Sequence, residues 1–386
     1  MTMTTNTTTK KTTTLRGMTW EHSRGYGCMV ASSAQYLAET GVDVQWEYRS
    51  LQAFADAPIE RLAADYDLLV IDHPHIPLAA KHGHFAELDG VGFDDELRVL
   101  AGQSVGRSHE SYAHNGHQYG LASDAAAQVS AYRPDLLSEP PREWDAVLEL
   151  ARDGRVLWPT KPVDAFSSLV TIAAGNGALA NAVPGTFLAE PDALAALERM
   201  HELTALVPEA NLTANPIEVA EALATGDQWF YSPLLFGYTN YSRPGFRTGR
   251  LKYTDIPAGP HGVQGSLLGG AGIAVSATAS DLPAARAFAF WVSSDEVQRG
   301  VYYDGGGQPG NAVAWEDERL NNDTLDFFAG TRATLESAYL RPRYAGYIEF
   351  QDTASPWVTE ALRGEITDRQ LITRLNDTAA RLLVED

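Results

Sequence analysis

Two short loops hold the residues best suited to chemistry, Trp20-Glu21-His22-Ser23-Arg24-Gly25 and Asp72-His73-Pro74-His75. A carboxylate that orients an imidazole makes a general base, so Glu21, His22, Asp72 and His73 are the candidates for acid/base work in an enzyme. Arg24 stands just before a helix start and suits a carboxylate or phosphate, through bidentate pairing reinforced by the helix dipole. A solvated surface arginine is the plainer alternative. Eight of the ten histidines lie between His22 and His117, and His73 and His75 would share a face if their strand continued. Pro74 interrupts that strand and no HExxH or comparable spacing supports a metal, so solvated imidazoles are expected and a metal is not. There is no nucleophile elbow, phosphate loop or dinucleotide fingerprint, so no reaction is identified and no cofactor is expected. Further along, QWFYSPLLFGY (228 to 238) supplies rings that suit a sugar: they stack on the apolar face of a pyranose while Asp and Glu accept its hydroxyl protons. Trp229, Tyr231 and Phe236 would equally be core if alternate strand residues face inward.

The elements that must position these loops follow from apolar spacing. Leu15 to Trp20 reads as a strand, and Met29, Ser33, Tyr36, Leu37 and Thr40 mark one face of a helix closed by Gly41. Val42 to Ser50 is a second strand, Pro58 to Tyr66 a helix, and DLLVID (67 to 72) an apolar strand of the kind buried on both faces of a parallel sheet. This β-α-β-α-β order implies an open α/β sheet whose ligands sit beyond the carboxyl ends of its strands, where both loops fall. Ala126 to Tyr132 is expected as a strand at a crossing into a second lobe, and Arg155 to Pro159 as another strand. Asn215-Pro216-Ile217-Glu218 opens a helix with an N-cap, a proline at N1 and a capping glutamate. Gly265 to Gly310 combines a glycine turn at Gly269 and Gly270, a short strand, a helix begun at Asp281 and Pro283, and a helix opened by Ser293 with Glu296 as a capping box. This stretch is expected to return to the lobe begun at the N-terminus, making a two-lobed protein with a cleft.

The 386 residues exceed one simple core, and 44% hydrophobic residues suffice for two. A net charge of −21 disfavours nucleic acid and anionic membrane surfaces as partners. No apolar run is long enough to insert in a membrane. Cys28 is the only cysteine, excluding an intrachain disulfide, and among apolar neighbours it reads as a buried inert thiol. The tail MTMTTNTTTKKTTT is polar and Thr-rich, and residues 1 to 12 are expected to be disordered. It lacks the hydrophobic h-region of a secretory signal, which points to the cytoplasm, or to the periplasm or exterior if a leader has been lost.

The order and spacing of several segments resemble the extracellular solute-binding proteins that serve ABC importers, in the group containing sugar-binding members. The segments are YGLASDAAAQVSAYRPDLL (119 to 137), PREWDAVLELA, AEALATGDQWFYS, DIPAGPHG and GGAGIAVSATASDLPAARAFAFWVSSDEVQ. The resemblance covers roughly residues 13 to 384. It implies an α/β, two-lobed periplasmic-binding-protein-like (type II) fold, each lobe a mixed sheet flanked by helices, with residues 13–122 plus 266–320 in one lobe and 123–265 plus 321–386 in the other. It implies ligand contacts at Trp20, Glu21, His22, Arg24, Asp72, His73, Asp124, Gln128, Trp229, Tyr231, Gly270 and Tyr303, with Arg341 and Tyr347 as weaker candidates. The implied function is capture of a small polar ligand (sugar, polyol or carboxylate) for an ABC permease, by a monomer. The rival readings are a cytoplasmic enzyme on the same scaffold, using His22, His73 and nearby carboxylates, and a cytoplasmic sensor.

Overall fold

The computed structural model describes residues 13–50, 58–183 and 185–384. The Thr-rich tail, 1–12, lies outside the described residues. Thr14–Trp20 pairs in parallel with Asp43–Arg49 on one side and Leu68–Asp72 on the other, as the β-α-β-α-β pattern requires. The intervening helices are Cys28–Thr40 and Ile59–Asp65. Gly41 ends the first of them in the left-handed region, φ 79°, and its N–H donates to the Leu37 carbonyl. Leu68 to Ile71 are fully buried, which is why that strand carries apolar residues at every position.

The sheet is completed by two later strands. Ala271–Val275 runs antiparallel to Leu68–Asp72, and Gly120–Ala122 lies beyond it, giving a mixed five-stranded sheet. Within the Gly265 to Gly310 stretch, Ala271–Val275 joins the N-terminal sheet as expected, while Leu268–Gly269 pairs with Ala126 and Ala127 of a second sheet. Its helix Leu282–Ser293 is capped by the Asp281 side chain, which accepts from the Ala284 N–H. The expected capping box at Ser293 does not form. The short turn Asp295–Val297 follows Ser294 instead, whose hydroxyl donates back to the Trp291 carbonyl.

A second sheet is built on Ala126–Tyr132, flanked by Leu268–Gly269, Tyr231–Phe236 and Lys252–Thr254, all antiparallel to it. Every residue of Ala126–Tyr132 is buried, because both faces are covered. Ala127, Val129 and Ala131 pack on one side with Tyr253, Phe327 and Phe328; Tyr132 faces the other, toward Phe166, Leu169, Phe350 and Leu371. The expected strand Arg155 to Pro159 is reduced to an isolated bridge between Val156 and Tyr231. Helix Pro216–Thr225 has the predicted capping box, Asn215 with Glu218.

Two segments pass side by side between the sheets. Gly120–Ala122 leads through Ser123 and Asp124 into Ala126–Tyr132, and Leu268–Gly269 leads through Gly270 into Ala271–Val275. The Asp124 N–H donates to the Ala271 carbonyl (2.8 Å), tying the crossings together. Gly270 has φ 99°, and a Cβ there would lie 2.7 Å from the Asp124 carbonyl oxygen and 2.9 Å from Ala125 Cα. Both the backbone angle and the approach require glycine. Gly270→Ala is therefore expected to lower stability by roughly 2–3 kcal/mol, read as a drop in the urea midpoint. A midpoint equal to the parent's would show that the crossing tolerates displacement.

Candidate functional site

The loop after the first strand folds around an imidazole. His22 caps the tight turn Ser23–Gly27, with Nδ1 accepting from the Arg24 N–H (3.0 Å), and this turns Arg24 inward. Arg24 is 4% exposed. Its Nε and Nη2 donate to the two Asp124 carboxylate oxygens at 2.7 and 2.6 Å, and its Nη1 donates to the Gly237 carbonyl at 2.8 Å. The guanidinium also lies 4.4 Å from the Tyr238 ring centre. Burial works against the Arg24 charge, but the Asp124 carboxylate outweighs it and raises the pKa above the ordinary range. The bidentate capacity that suited a ligand acid is therefore used on Asp124.

Around this pair is a cavity of about 360 Å³ between the two sheets. Trp20, Asp72, Pro74 and His75 line it from the strand ends of the first sheet. Asp124, Gly269 and Gly270 line it from the crossings, and Lys161, Asp164, Ser167, Ile217, Phe236 and Tyr238 from the second sheet and its helices. Arg341, Gln351 and Asp352 close it from the C-terminal segment. Asp72 opens to the cavity. Burial raises its pKa, while Arg341 and Arg24 act to lower it. Asp164, in the first turn of helix Pro162–Gly175, is pushed up to about 8 by burial, with Lys161 opposing. His75 is lowered to about 4 by burial and Arg341. The wall thus offers hydroxyl acceptors and donors beside aromatic faces.

Five expected contacts meet there: Trp20, Arg24, Asp72, Asp124 and Gly270. Arg341 joins them. The others lie elsewhere, and packing explains each. His22 sits edge-on to Tyr238 and near Phe246, behind the wall, and Glu21 is exposed. His73 is buried beneath the cavity, its Nε2 accepting from Arg341 Nε (3.3 Å). Gln128 is held inside by Ser168 and Thr171. Trp229 packs against the core around Val129, and Tyr231 is fully buried with its hydroxyl at Ser130. Tyr303 donates to Asp323 (2.7 Å) under the Arg243 guanidinium, and Tyr347 is core. Phe236, which alternation allowed as core, reaches the wall. Lys161, Asp164 and Tyr238 were not singled out; Lys161 and Asp164 stand at the start of helix Pro162–Gly175, where Pro162 at N1 is the signal that could have found the helix but not its facing.

The acid/base candidates do not assemble. Burial lowers His22 to about 4 and lowers His73 well below its ordinary value, and neither imidazole is hydrogen-bonded to a carboxylate. Burial pushes the Cys28 thiol up to about 12, leaving it inert. Among the described residues, no group of three or more His, Cys, Asp or Glu is placed to hold a metal ion.

The family model described as bacterial extracellular solute-binding protein matches residues 31–329. Solved structures share the fold over most of the chain. The chain is 19% identical to maltose-bound MalE3 of T. maritima, with a TM-score of 0.82, covering 96% of this chain and 100% of that one. It is 20% identical to an ABC transporter solute-binding protein of Agrobacterium radiobacter K84 in complex with ribitol, with a TM-score of 0.81 and coverage of 96% and 98%. It is 15% identical to one from Thermotoga lettingae bound with α-D-tagatose, with a TM-score of 0.81 and coverage of 96% and 100%. No curated protein matches the chain.

Two outcomes follow from the site's electrostatics. Asp124→Asn leaves a buried guanidinium without its counter-charge and should cost about 3–5 kcal/mol, with Arg24→Met in the same chain recovering part of the loss. A thermal-unfolding double-mutant cycle reads this, and additive losses would contradict it. For Asp164 the folded pKa of about 8 lies above the unfolded value near 4, so folding takes up a proton between them. The stability carried by the neutral carboxyl is present at the low end and lost as pH rises toward 8. Asp164→Asn should flatten that slope by on the order of 5 kcal/mol across the window in chemical unfolding, and an unchanged slope would refute the assignment.

Proposed function

Since the chain belongs to the bacterial extracellular solute-binding proteins, we propose that it captures a hydroxyl-rich solute, a sugar or polyol, in the cavity between its lobes and delivers it to an ABC permease without chemical change. The observation that carries this is the wall itself. Trp20, Phe236 and Tyr238 offer aromatic surface beside Asp72, Asp164 and Lys161, the mixture that hydroxyls on a carbon skeleton require. Maltose, ribitol and tagatose in the similar structures support the same class. A simple carboxylate is less well served, because Arg24 is already paired.

The lobes on this reading are the two sheets with their helices. The first lobe holds residues 13–122 and the return strand from Ala271; the second is organised on Ala126–Tyr132, with the crossings between them as the hinge. A monomer is proposed. Among the described residues no helix is long and apolar enough to cross a membrane. The family supports work outside the cytoplasm, in place of the cytoplasmic location expected from the N-terminal composition. The enzyme alternative has no support in the site, since its imidazoles are neutral and lack carboxylate partners.

Isothermal titration with ribitol, maltose and tagatose tests the proposal. At least one is expected to bind. Trp20→Ala should weaken it roughly ten-fold through lost ring contact and Asp72→Asn by a similar factor, the solute being recovered unchanged. Conversion of the solute, or affinity indifferent to both substitutions, would exclude this reading.

A further inference from the structure

A second cavity, of about 540 Å³, adjoins the first and shares Arg341 with it. Arg107, His114 and Asn115, from the N-terminal part of the chain, line one side, and Ala180, Asn181 and the run Tyr339 to Tyr344 line the other. Three of the lining residues are arginines, Arg107, Arg341 and Arg343, and no Asp or Glu lines it, in a chain with 50 acidic and 29 basic residues.

The three guanidiniums are not equally satisfied. Arg107 is at the rim, half exposed, and makes a bidentate pair with Glu110. Arg341 is buried and makes only long contacts, 3.3 Å each, to His73 Nε2 and Gln351 Oε1, with the Asp72 carboxylate near enough to feel its charge. Arg343 donates through Nη1 to the Glu110 carbonyl, while its Nη2 is buried without a hydrogen-bond partner. Burial lowers the Arg343 pKa, with Glu110 opposing and Arg107 adding to the effect. A buried donor on a charged group with nothing to donate to is costly, and an acidic oxygen placed there would satisfy it with a charge-assisted bond.

We propose that the Arg107–Arg341–Arg343 cavity is an anion subsite of the cleft, receiving the carboxylate or phosphate of a solute whose hydroxylated part lies against Trp20 and Tyr238. The inference rests on the solute-binding reading above and extends it to an acidic saccharide or polyol. Arg341 is the bridge between the two cavities: one face meets the hydroxyl-binding wall and the other the acid group.

The test uses two probes on the full chain. Inorganic phosphate, titrated against chloride at constant ionic strength, should raise the melting temperature of the parent saturably, by roughly 2 °C at ten times its dissociation constant. Arg343→Gln should abolish that rise. Ribonate should then bind roughly ten-fold more tightly than ribitol to the parent, and Arg343→Gln should remove the preference while leaving ribitol affinity intact. The melting temperature of Arg343→Gln without anion, with its circular dichroism, establishes that it folds. No rise with phosphate, or an equal rise in Arg343→Gln, would overturn the anion site. Phosphate binding with no preference for ribonate would overturn its assignment to the cleft's solute. Phosphate binding with neither ribitol nor ribonate bound would count against the polyol reading of the cleft while leaving the anion site standing.

Discussion

Two opposite charges, buried together where the chain crosses between its sheets, are the constraint on which the rest of the molecule depends. Arg24 comes from the first loop of the first sheet, Asp124 from the crossing, and the Gly237 carbonyl from the end of a strand in the second sheet. Three remote pieces of chain must therefore arrive in one register before either charge is satisfied. A buried ion pair is weak evidence for stability, since desolvation consumes most of the attraction. What it imposes is geometry, because every alternative docking of the lobes leaves a bare guanidinium or carboxylate in a dry junction. The pair also decides the chemistry of the cavity it borders. With Arg24 and Asp124 neutralising each other, the other charged groups that line the cavity include Asp72, Asp164 and Arg341.

The crossings carry this constraint in their backbones. Asp124 and Ala271 are joined by a backbone hydrogen bond, and Gly270 permits the second crossing to lie against the first with no side chain between them. Gly310 does the same for a third segment, where a Cβ would collide with the Ala122 carbonyl. Backbones packed this closely can bend together but cannot slide, which is the condition for two rigid lobes to move about a fixed axis. The cavity wall is built beside those crossings, so residues from both sheets line one cavity.

Local pattern made the fold legible and left the site half legible, for a physical reason. Periodicity and capping are read over a few residues, so Thr14–Trp20, Cys28–Thr40, Leu68–Asp72 and the Asn215 capping box were all within reach of the sequence. The strand-end rule then placed Trp20 and Asp72 at the cleft, because in an open sheet the residues after parallel strands must face it. It could not separate Trp20 from His22, two residues on, since that depends on a turn in which the imidazole caps the Arg24 N–H. In the aromatic strand, Tyr231 and Tyr238 look alike by type. Seven residues separate a core hydroxyl bonded to Ser130 from a ring on the cavity wall, and only the end of the strand tells them apart. The histidine cluster dissolves in the same way: His73 is buried against Arg341 and His75 is half-buried on the cavity wall, while His117 pairs with Asp89 at the surface.

Charge shows most clearly why composition and site must be argued separately. A net −21 disfavours anions as partners at long range, yet in physiological salt that field is screened within about 8 Å. Inside a cavity walled by three guanidiniums and no carboxylate, the local sign is the opposite of the global one, and there the local sign controls. The acidic surface keeps the protein soluble and sets what it avoids in solution. On the proposal of an anion subsite, what it holds turns on Arg341, which lines both cavities. A solute carrying both groups would use both walls at once, and the specificity of the cleft then comes from one buried side chain facing two ways.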